Sequence, residues 1–212
     1  MLEKSYGEIL NRMKIASKKA SREISEISLI AVSKRVEISR VKKLFELGHN
    51  IFGENYIKEG CDKYESFDSD NKPSFHLIGP LQSNKVKKAV GVFDLIHTID
   101  RKKIVDEVAK VAEAKNIVQH CLVQVNVSGE TSKSGVLISE LSSLLAYALT
   151  KPSLSIDGLM CIGQNDATEE DRIFEFKKMN EIKINCEKEF DIKLPHLSMG
   201  MSADFELSLI HI

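Results

Sequence analysis

A lysine at the end of the first apolar, strand-like run is the first residue whose type and position could do chemistry. The run is Ser28-Leu-Ile-Ala-Val-Ser-Lys34, and it follows an N-terminal stretch with a helical pattern. The carboxyl ends of parallel strands are where α/β proteins assemble their sites, and an amine shielded from water is the group that forms Schiff bases. Taken alone, Lys34 reads more simply as a strand-end lysine that reaches solvent, so its meaning depends on what surrounds it.

A second candidate is the turn His196-Leu-Ser-Met-Gly-Met-Ser-Ala-Asp204. It runs from a strand-like segment through Gly200 into a hydroxyl residue, Ser202, at a predicted helix start. Such a turn presents free backbone amides to an anion, with the Ser202 hydroxyl beside them and the helix dipole behind them. The segment by itself is explained equally well by a phosphate-binding corner and by Ser202 acting only as a helix cap.

The elements that must position these residues alternate along the chain. Short runs rich in Val, Ile, Leu and Phe are each followed by a charged segment with helical periodicity, which is typical of a parallel sheet built from consecutive βα units. The sequence contains seven predicted strands: Ser28 to Lys34, Asn50 to Asn55, Phe75 to Pro80, Leu95 to Asp100, His120 to Val127, Ser155 to Gly163, and Pro195 to Gly200.

Three helix boundaries are marked by specific residues. Gly48 should end a helix over Ser39 to Leu47, because a glycine accepts the left-handed conformation of a helix terminus. Asp100 is the predicted N-cap of a helix over Arg101 to Lys115. Thr168 and Asp171 are spaced as a capping box at the start of a longer helix.

This order of elements predicts an α/β fold, a (β/α)8 TIM-type barrel. Such a barrel needs eight βα units and typically about 250 residues, whereas only seven units are visible in these 212 residues. The tail from Met201 to Ile212 is too short for a parallel crossover, which needs roughly a dozen residues before the next strand. We therefore expect one domain over residues 1–212, with a helix starting near Ser202 and with the last strand lacking.

Composition limits the classes of function. The formal net charge is -1 and the basic residues form no long block, which argues against nucleic acid as a partner. The four cysteines lack the paired spacing of a zinc or dithiol site, and Cys121 and Cys161 are predicted to be small core residues of a reducing compartment. The sequence shows no signal peptide and no membrane-spanning segment, so we expect a soluble cytoplasmic protein that binds neither membrane nor metal.

Five ordered motifs resemble the pyridoxal-phosphate homeostasis proteins. They are Ala-Val-Ser-Lys34, Phe-Gly-Glu-Asn-Tyr56, His76-Leu-Ile-Gly-Pro-Leu-Gln-Ser-Asn-Lys85, Gly158-Leu-Met160, and His196-Leu-Ser-Met-Gly-Met-Ser-Ala-Asp204. The resemblance covers essentially the whole chain. It implies a barrel similar to the N-terminal domain of alanine racemase that holds pyridoxal 5'-phosphate (PLP) on a lysine without an established enzymatic reaction. The implied role is vitamin B6 homeostasis, in which the protein buffers the vitamer and delivers it to PLP-dependent apo-enzymes.

The resemblance also implies roles for particular residues. Lys34 matches the lysine that forms the internal aldimine with the cofactor, and Asn55 matches an asparagine near the cofactor ring. Ser202, together with the Met201 amide, matches the phosphate-binding turn. Ser198 and Met160 match positions that line the pocket.

Two departures from the family are visible. The position after the lysine is usually threonine in the family and is Arg35 here. Members usually continue through a further helix into a strand bearing Arg-Ile-Gly-Thr or similar, which adds phosphate contacts. The resemblance therefore implies a C-terminally truncated member.

Two other functions remain open from the sequence. A PLP-dependent amino-acid racemase is the enzyme alternative, but racemisation needs acid and base groups on both faces of the substrate, and alanine racemases bring one of them from a second domain. The other alternative is an unrelated phosphate-binding barrel in which Lys34 is a general base or an ion-pair partner.

Overall fold

The computed structural model describes residues 2–130, 133–163 and 167–212. Among these described residues no helix is both long enough and apolar enough to cross a membrane. The strands are β1 Ala31–Val32, β2 Ile51–Glu54, β3 Ser74–Leu77, β4 Leu95–Ile99, β5 Gln119–Asn126, β6 Val136–Leu137, β7 Leu154–Met160 and β8 His196–Ser198. The α-helices are α1 Leu2–Lys19, α2 Ile38–Glu46, α3 Ile57–Glu65, α4 Val86–Ala89, α5 Lys102–Ala114, α6 Ile138–Leu149, α7 Glu169–Phe190 and α8 Phe205–Ile210.

The strands form one sheet in the order β1-β2-β3-β4-β5-β7-β8, and every pairing is parallel. The seven strands on this path are the seven that the sequence predicts, and the helices between them are the crossovers. The predicted α/β fold is therefore confirmed as a curled parallel sheet of the barrel type. The short β6, which pairs with β5 beside the main path, was not among the predicted strands.

The two faces of the sheet bury different groups. Side chains alternate between the faces of a strand, and one set, which includes the fully buried Phe52, Phe75 and Ile96, belongs to the main apolar core. The other set lines the inner face, where Leu95, Leu122 and Met160 form a separate small apolar cluster. The predicted core residues Cys121 and Cys161 are both buried, and both are free thiols.

Helix boundaries follow the predicted signals in two of three places. Gly48 has φ +91° and ends α2, and Thr168 forms a capping box with Asp171 at the start of α7. The predicted N-cap at Asp100 is wrong: Arg101 takes that position without a side-chain cap. The Asp100 carboxylate instead accepts a hydrogen bond from Arg101 Nη1 at 2.5 Å, so that ion pair replaces the expected cap.

The two ends of the chain meet beside the sheet edges. Helix α8 starts at Phe205, just after the predicted helix start at Ser202, and it packs against α1. Arg12 of α1 donates two hydrogen bonds to Glu206, at 2.8 and 2.7 Å, and its guanidinium lies 4.7 Å from the centre of the Phe205 ring. Because α1 leads into β1 and α8 follows β8, this contact draws the two edges of the curled sheet towards each other. Among the described residues no strand pairing joins β8 to β1.

Gly79 is a position where only glycine fits. A Cβ atom built there would lie 2.2 Å from the Asn55 carbonyl oxygen and 2.5 Å from the Asn55 Cα. Substituting Gly79→Ala should therefore lower the free energy of unfolding by about 1–3 kcal/mol, measured by urea denaturation. Gly7→Ala in α1 is the matched control: nothing lies within 4 Å of its Cβ, and we expect a gain of about 0.5–1 kcal/mol. Equal effects at the two positions would contradict this close approach.

Candidate functional site

Lys34 lies in a turn directly after β1. The turn is closed by the Val36 amide, which donates to the Ser33 carbonyl at 3.0 Å, and Arg35 adopts a left-handed φ of +58°. The Lys34 side chain is exposed, and its amine has no hydrogen-bond or ion-pair partner among the described residues. The strand thus ends in an unengaged primary amine at the rim of the sheet.

Asn55 follows the neighbouring strand β2 in the same way. It is half-buried, and its backbone packs against the backbone of Gly79 after β3. Because β1 and β2 are parallel, with Val32 aligned to Gly53, Lys34 and Asn55 lie two residues beyond a matched pair. The structure therefore brings these two predicted residues to the same part of the rim.

Met160 and Ser198 face each other in register on β7 and β8. Met160 is 5% exposed and belongs to the inner apolar cluster. Ser198 is half-buried, and its hydroxyl lies 2.8 Å from His97 Nδ1. These two predicted pocket residues thus give one apolar and one polar element to the inner face of the sheet.

The Ser198 contact is one end of a polar chain across the inner face. His97 Nε2 lies 3.0 Å from His76 Nδ1, so three side chains from β3, β4 and β8 are linked. Burial lowers the pKa of His97 to about 3 and that of His76 to about 4, which keeps both imidazoles neutral at pH 7. A neutral imidazole carries one N–H. The Ser198 hydroxyl therefore donates to His97 Nδ1 when the His97 proton is on Nε2, and accepts from it when the proton is on Nδ1.

The turn after β8 has the shape that the sequence predicts, but its amides are used differently. Gly200 has φ +82°, and a Cβ there would lie 2.6 Å from Ser208 Oγ. The Met201 amide donates to Asp204 Oδ1 at 2.6 Å, and the buried Asp204 carboxylate is ion-paired with Arg172. The amides of Ser202 and Ala203 have no hydrogen-bond partner among the described residues.

The roles of these positions in binding stay predictions, whereas their placement is now known. All of them lie at the carboxyl rim or on the inner face of the sheet. Asn126, another polar residue at a strand end, is engaged within its own loop: its side chain is hydrogen-bonded to Ser128, Gly129 and Glu130. A polar residue at a strand end therefore does not belong to the candidate site by its position in the sequence alone.

Three residues that shape the site, His97, Lys63 and Arg172, were not predicted. His97 stands in an apolar strand, and that interruption was an available signal. Lys63 lies four residues after Glu59 in α3, a spacing that suggests only a surface ion pair, yet Lys63 is buried. Arg172 had no signal, because its partner Asp204 is distant in the chain.

The buried histidines predict a loss of stability in acid. Their folded pKa values, about 4 for His76 and about 3 for His97, lie below the ordinary 6.5, so below pH 6.5 the unfolded chain binds more protons than the folded chain, and stability falls from there towards about pH 3. Each histidine contributes up to about 1.4 kcal/mol per pH unit. His97→Asn should flatten this slope in urea denaturation followed across that pH range. His211→Asn, in the C-terminal tail, should retain it, and parallel profiles for wild type and His97→Asn would contradict the assignment.

Comparison with known proteins places this geometry in a family. The family model described as "Alanine racemase, N-terminal domain" matches residues 8–212. The pyridoxal phosphate homeostasis protein of Aquifex aeolicus is 39% identical over 201 residues, covering 95% of this chain and 88% of that protein. The protein of the same name from Escherichia coli K12 is 34% identical over 210 residues, covering 97% and 88%.

Solved structures agree with the sequence relatives. PipY of Synechococcus elongatus, solved with PLP bound, superposes with a TM-score of 0.84 at 27% identity, covering 96% of this chain and 93% of that one. An alanine racemase of Clostridium difficile superposes with a TM-score of 0.72 at 11% identity over 92% of this chain and 51% of its own, a likeness of fold alone. The matched family model and the extent of identity to the curated relatives together establish that the chain belongs to the pyridoxal phosphate homeostasis protein family.

Proposed function

We propose that this protein holds PLP covalently through Lys34 and serves vitamin B6 homeostasis in the cytoplasm, without catalysing a reaction of its own. The main support for this proposal is that the unengaged Lys34 amine lies at the same rim of the sheet as the free amides of Ser202 and Ala203 in the turn after β8. Relatives that span nearly the whole chain are named for PLP homeostasis, and PipY is solved with PLP bound. PLP-dependent apo-enzymes are the proposed recipients.

Lys34 fits the aldehyde end of the vitamer. PLP supplies an aldehyde that condenses with a primary amine with loss of water. The Lys34 amine is not held by any carboxylate among the described residues, so no ion pair has to break before it reacts. By contrast, Lys63 is buried and fully bonded, which makes it unavailable for the same chemistry.

The turn after β8 fits the phosphate end. Ser202 and Ala203 offer two consecutive unbonded amides, and the Ser202 hydroxyl stands beside them. Backbone amides and a hydroxyl are common phosphate ligands. In this arrangement Asp204 occupies the Met201 amide, so the contribution predicted for Met201 requires that amide to exchange its partner.

The three remaining predicted residues suit an aromatic ring by their chemistry. Met160 belongs to the small apolar cluster of the inner face, while Asn55 and Ser198 are half-buried polar residues at the rim and on the inner face. These positions support the roles that the resemblance implies for them. Small-molecule sites are commonly lined in this way, with a mostly apolar surface and a few placed polar groups.

The state of the two histidines on the inner face favours PLP binding over racemisation. A racemase needs an acid and a base on opposite faces of its substrate, whereas His76 and His97, the histidines linked across this face, are hydrogen-bonded to each other and kept neutral by burial. The names of the curated relatives specify no catalysed reaction. Loss of optical rotation in L-alanine or L-serine, abolished by Lys34→Ala, would overturn the binding-only proposal.

Lys34→Ala should abolish the visible absorbance band that appears when the wild type is mixed with PLP. The physical reason is that alanine has no amine to condense with the aldehyde. Lys58→Ala, which removes an exposed lysine from α3, should leave the band intact. A band that persists in Lys34→Ala would place the attachment on another lysine.

Ser202→Ala should reduce the preference of the protein for PLP over pyridoxal, which lacks the phosphate. Losing one hydroxyl bond to a charged group costs about 1.5–3 kcal/mol, which corresponds to about tenfold or more in the ratio of the two dissociation constants. The ratio is measured by spectral titration with each vitamer. Ser143→Ala, at an exposed position of α6, is the control, and an unchanged ratio in Ser202→Ala would remove Ser202 from the phosphate site.

A further inference from the structure

A buried lysine lies behind the turn that carries Lys34. Lys63 of α3 is 6% exposed, and its ammonium group donates three hydrogen bonds. The acceptors are the Ser33 carbonyl oxygen at 2.5 Å, Glu54 Oε1 at 2.7 Å and Glu59 Oε1 at 2.7 Å. An ammonium has three N–H donors, so the bonding capacity of Lys63 is filled.

The acceptors are the immediate neighbours of predicted cofactor residues. Ser33 precedes Lys34, and Glu54 precedes Asn55. Ser33 and Glu54 are also joined directly, because the Ser33 hydroxyl donates to Glu54 Oε1 at 2.6 Å. The ends of β1 and β2 therefore meet at one ammonium group.

The backbone after Lys34 is bonded to the same ionic cluster, which consists of Lys63, Glu54 and Glu59. Glu59, which accepts from Lys63, also accepts from the Arg35 amide at 2.5 Å. The peptide units before and after Lys34 are thus both anchored, one through the Ser33 carbonyl and one through the Arg35 amide. The Lys34 side chain is left as the unanchored part of this turn.

Stability alone does not account for this cluster. Taking two charges out of water is costly, and apolar side chains of similar volume often hold a helix against a sheet equally well. Glu54 Oε2 is buried without a hydrogen-bond partner among the described residues, which adds to that cost. What the ionic cluster provides, and an apolar contact would not, is a directional link between two backbone positions.

We propose that Lys63 is a positioning residue that ties the end of β1 to the end of β2 and so sets the Lys34 amine relative to Asn55 for condensation with the vitamer aldehyde. In that condensation the Lys34 nitrogen forms a C=N double bond to the aldehyde carbon, the C=O bond breaks, and the aldehyde oxygen leaves as water together with the two protons of the neutral amine. Lys63 itself takes no part in bond formation. The inference rests on the proposed function and adds a residue that does not touch the ligand.

The first test uses the protein without ligand. Lys63→Met keeps the length and apolar stem of the side chain but removes all three donors, so the turn should open more often. We expect hydrogen–deuterium exchange of the amides of Arg35 and Val36 to become about tenfold faster or more. Lys58→Met, on the exposed side of the same helix, should exchange like the wild type. Unchanged exchange at these amides in Lys63→Met overturns the inference.

The second test separates positioning from general damage. Pyridoxine 5'-phosphate carries the ring and phosphate but no aldehyde, so its affinity reports the pocket without the Lys34 bond. Lys63→Met should weaken PLP binding about tenfold or more, because a misplaced amine has a lower effective molarity towards the aldehyde with which it must condense. Its affinity for pyridoxine 5'-phosphate should stay within about twofold of the wild type. Lys63→Arg, which keeps the charge and its donors, should recover part of the loss.

The outcomes distinguish the two proposals. Equal weakening for both ligands, or no weakening for either, overturns the positioning role of Lys63 while Lys34 attachment in the wild type stands. A wild type without a Lys34-dependent band overturns the proposed function and the inference with it. Should Lys63→Met fail to fold by circular dichroism, Glu54→Gln/Lys63→Met replaces it, because the double variant leaves no uncompensated Glu54 charge and should show the same ligand pattern.

Discussion

The parallel direction of every strand pairing is the constraint on which the site depends. In such a sheet all strand carboxyl ends lie at one rim, so residues that are far apart in the chain, Lys34 and Ser202 among them, come to the same side of the molecule. The helices next to the two edge strands, α1 beside β1 and α8 beside β8, pack against each other, and Arg12 of α1 is hydrogen-bonded to Glu206 of α8. The parallel topology therefore places the Lys34 amine and the free amides of Ser202 and Ala203 on the same side of the molecule.

Two buried polar side chains, Lys63 and His97, link strands close to the predicted site. On the helix side of the sheet, Lys63 joins the ends of β1 and β2 with three hydrogen bonds. On the inner face, His97 joins Ser198 to His76 across three strands. Both groups would be costly to bury alone, and both are satisfied by partners adjacent to or within the predicted site. The rim is thus supported from both faces of the sheet.

The fold and part of the site could be predicted from the sequence because they depend on local patterns. Seven apolar runs predict seven strands, and Gly48 and Thr168 mark helix ends through their own backbone preferences. The N-cap at Asp100 was wrong because an adjacent arginine competes for its carboxylate. Lys63 and Arg172 could not be predicted, because their partners are Ser33, Glu54 and Asp204, and the separations along the chain become contacts only after folding. The hydrogen bond from the Met201 amide to Asp204 was not predicted either, although these two residues are only three apart in the chain.

Chemical trapping tests directly whether PLP is attached to Lys34. The protein is mixed with PLP, reduced with borohydride to fix any imine as an amine, digested, and mapped by mass spectrometry. We expect one dominant modified peptide, carrying the added phosphopyridoxyl group on Lys34. Modification spread over exposed lysines such as Lys58, or located on a different single lysine, would contradict it.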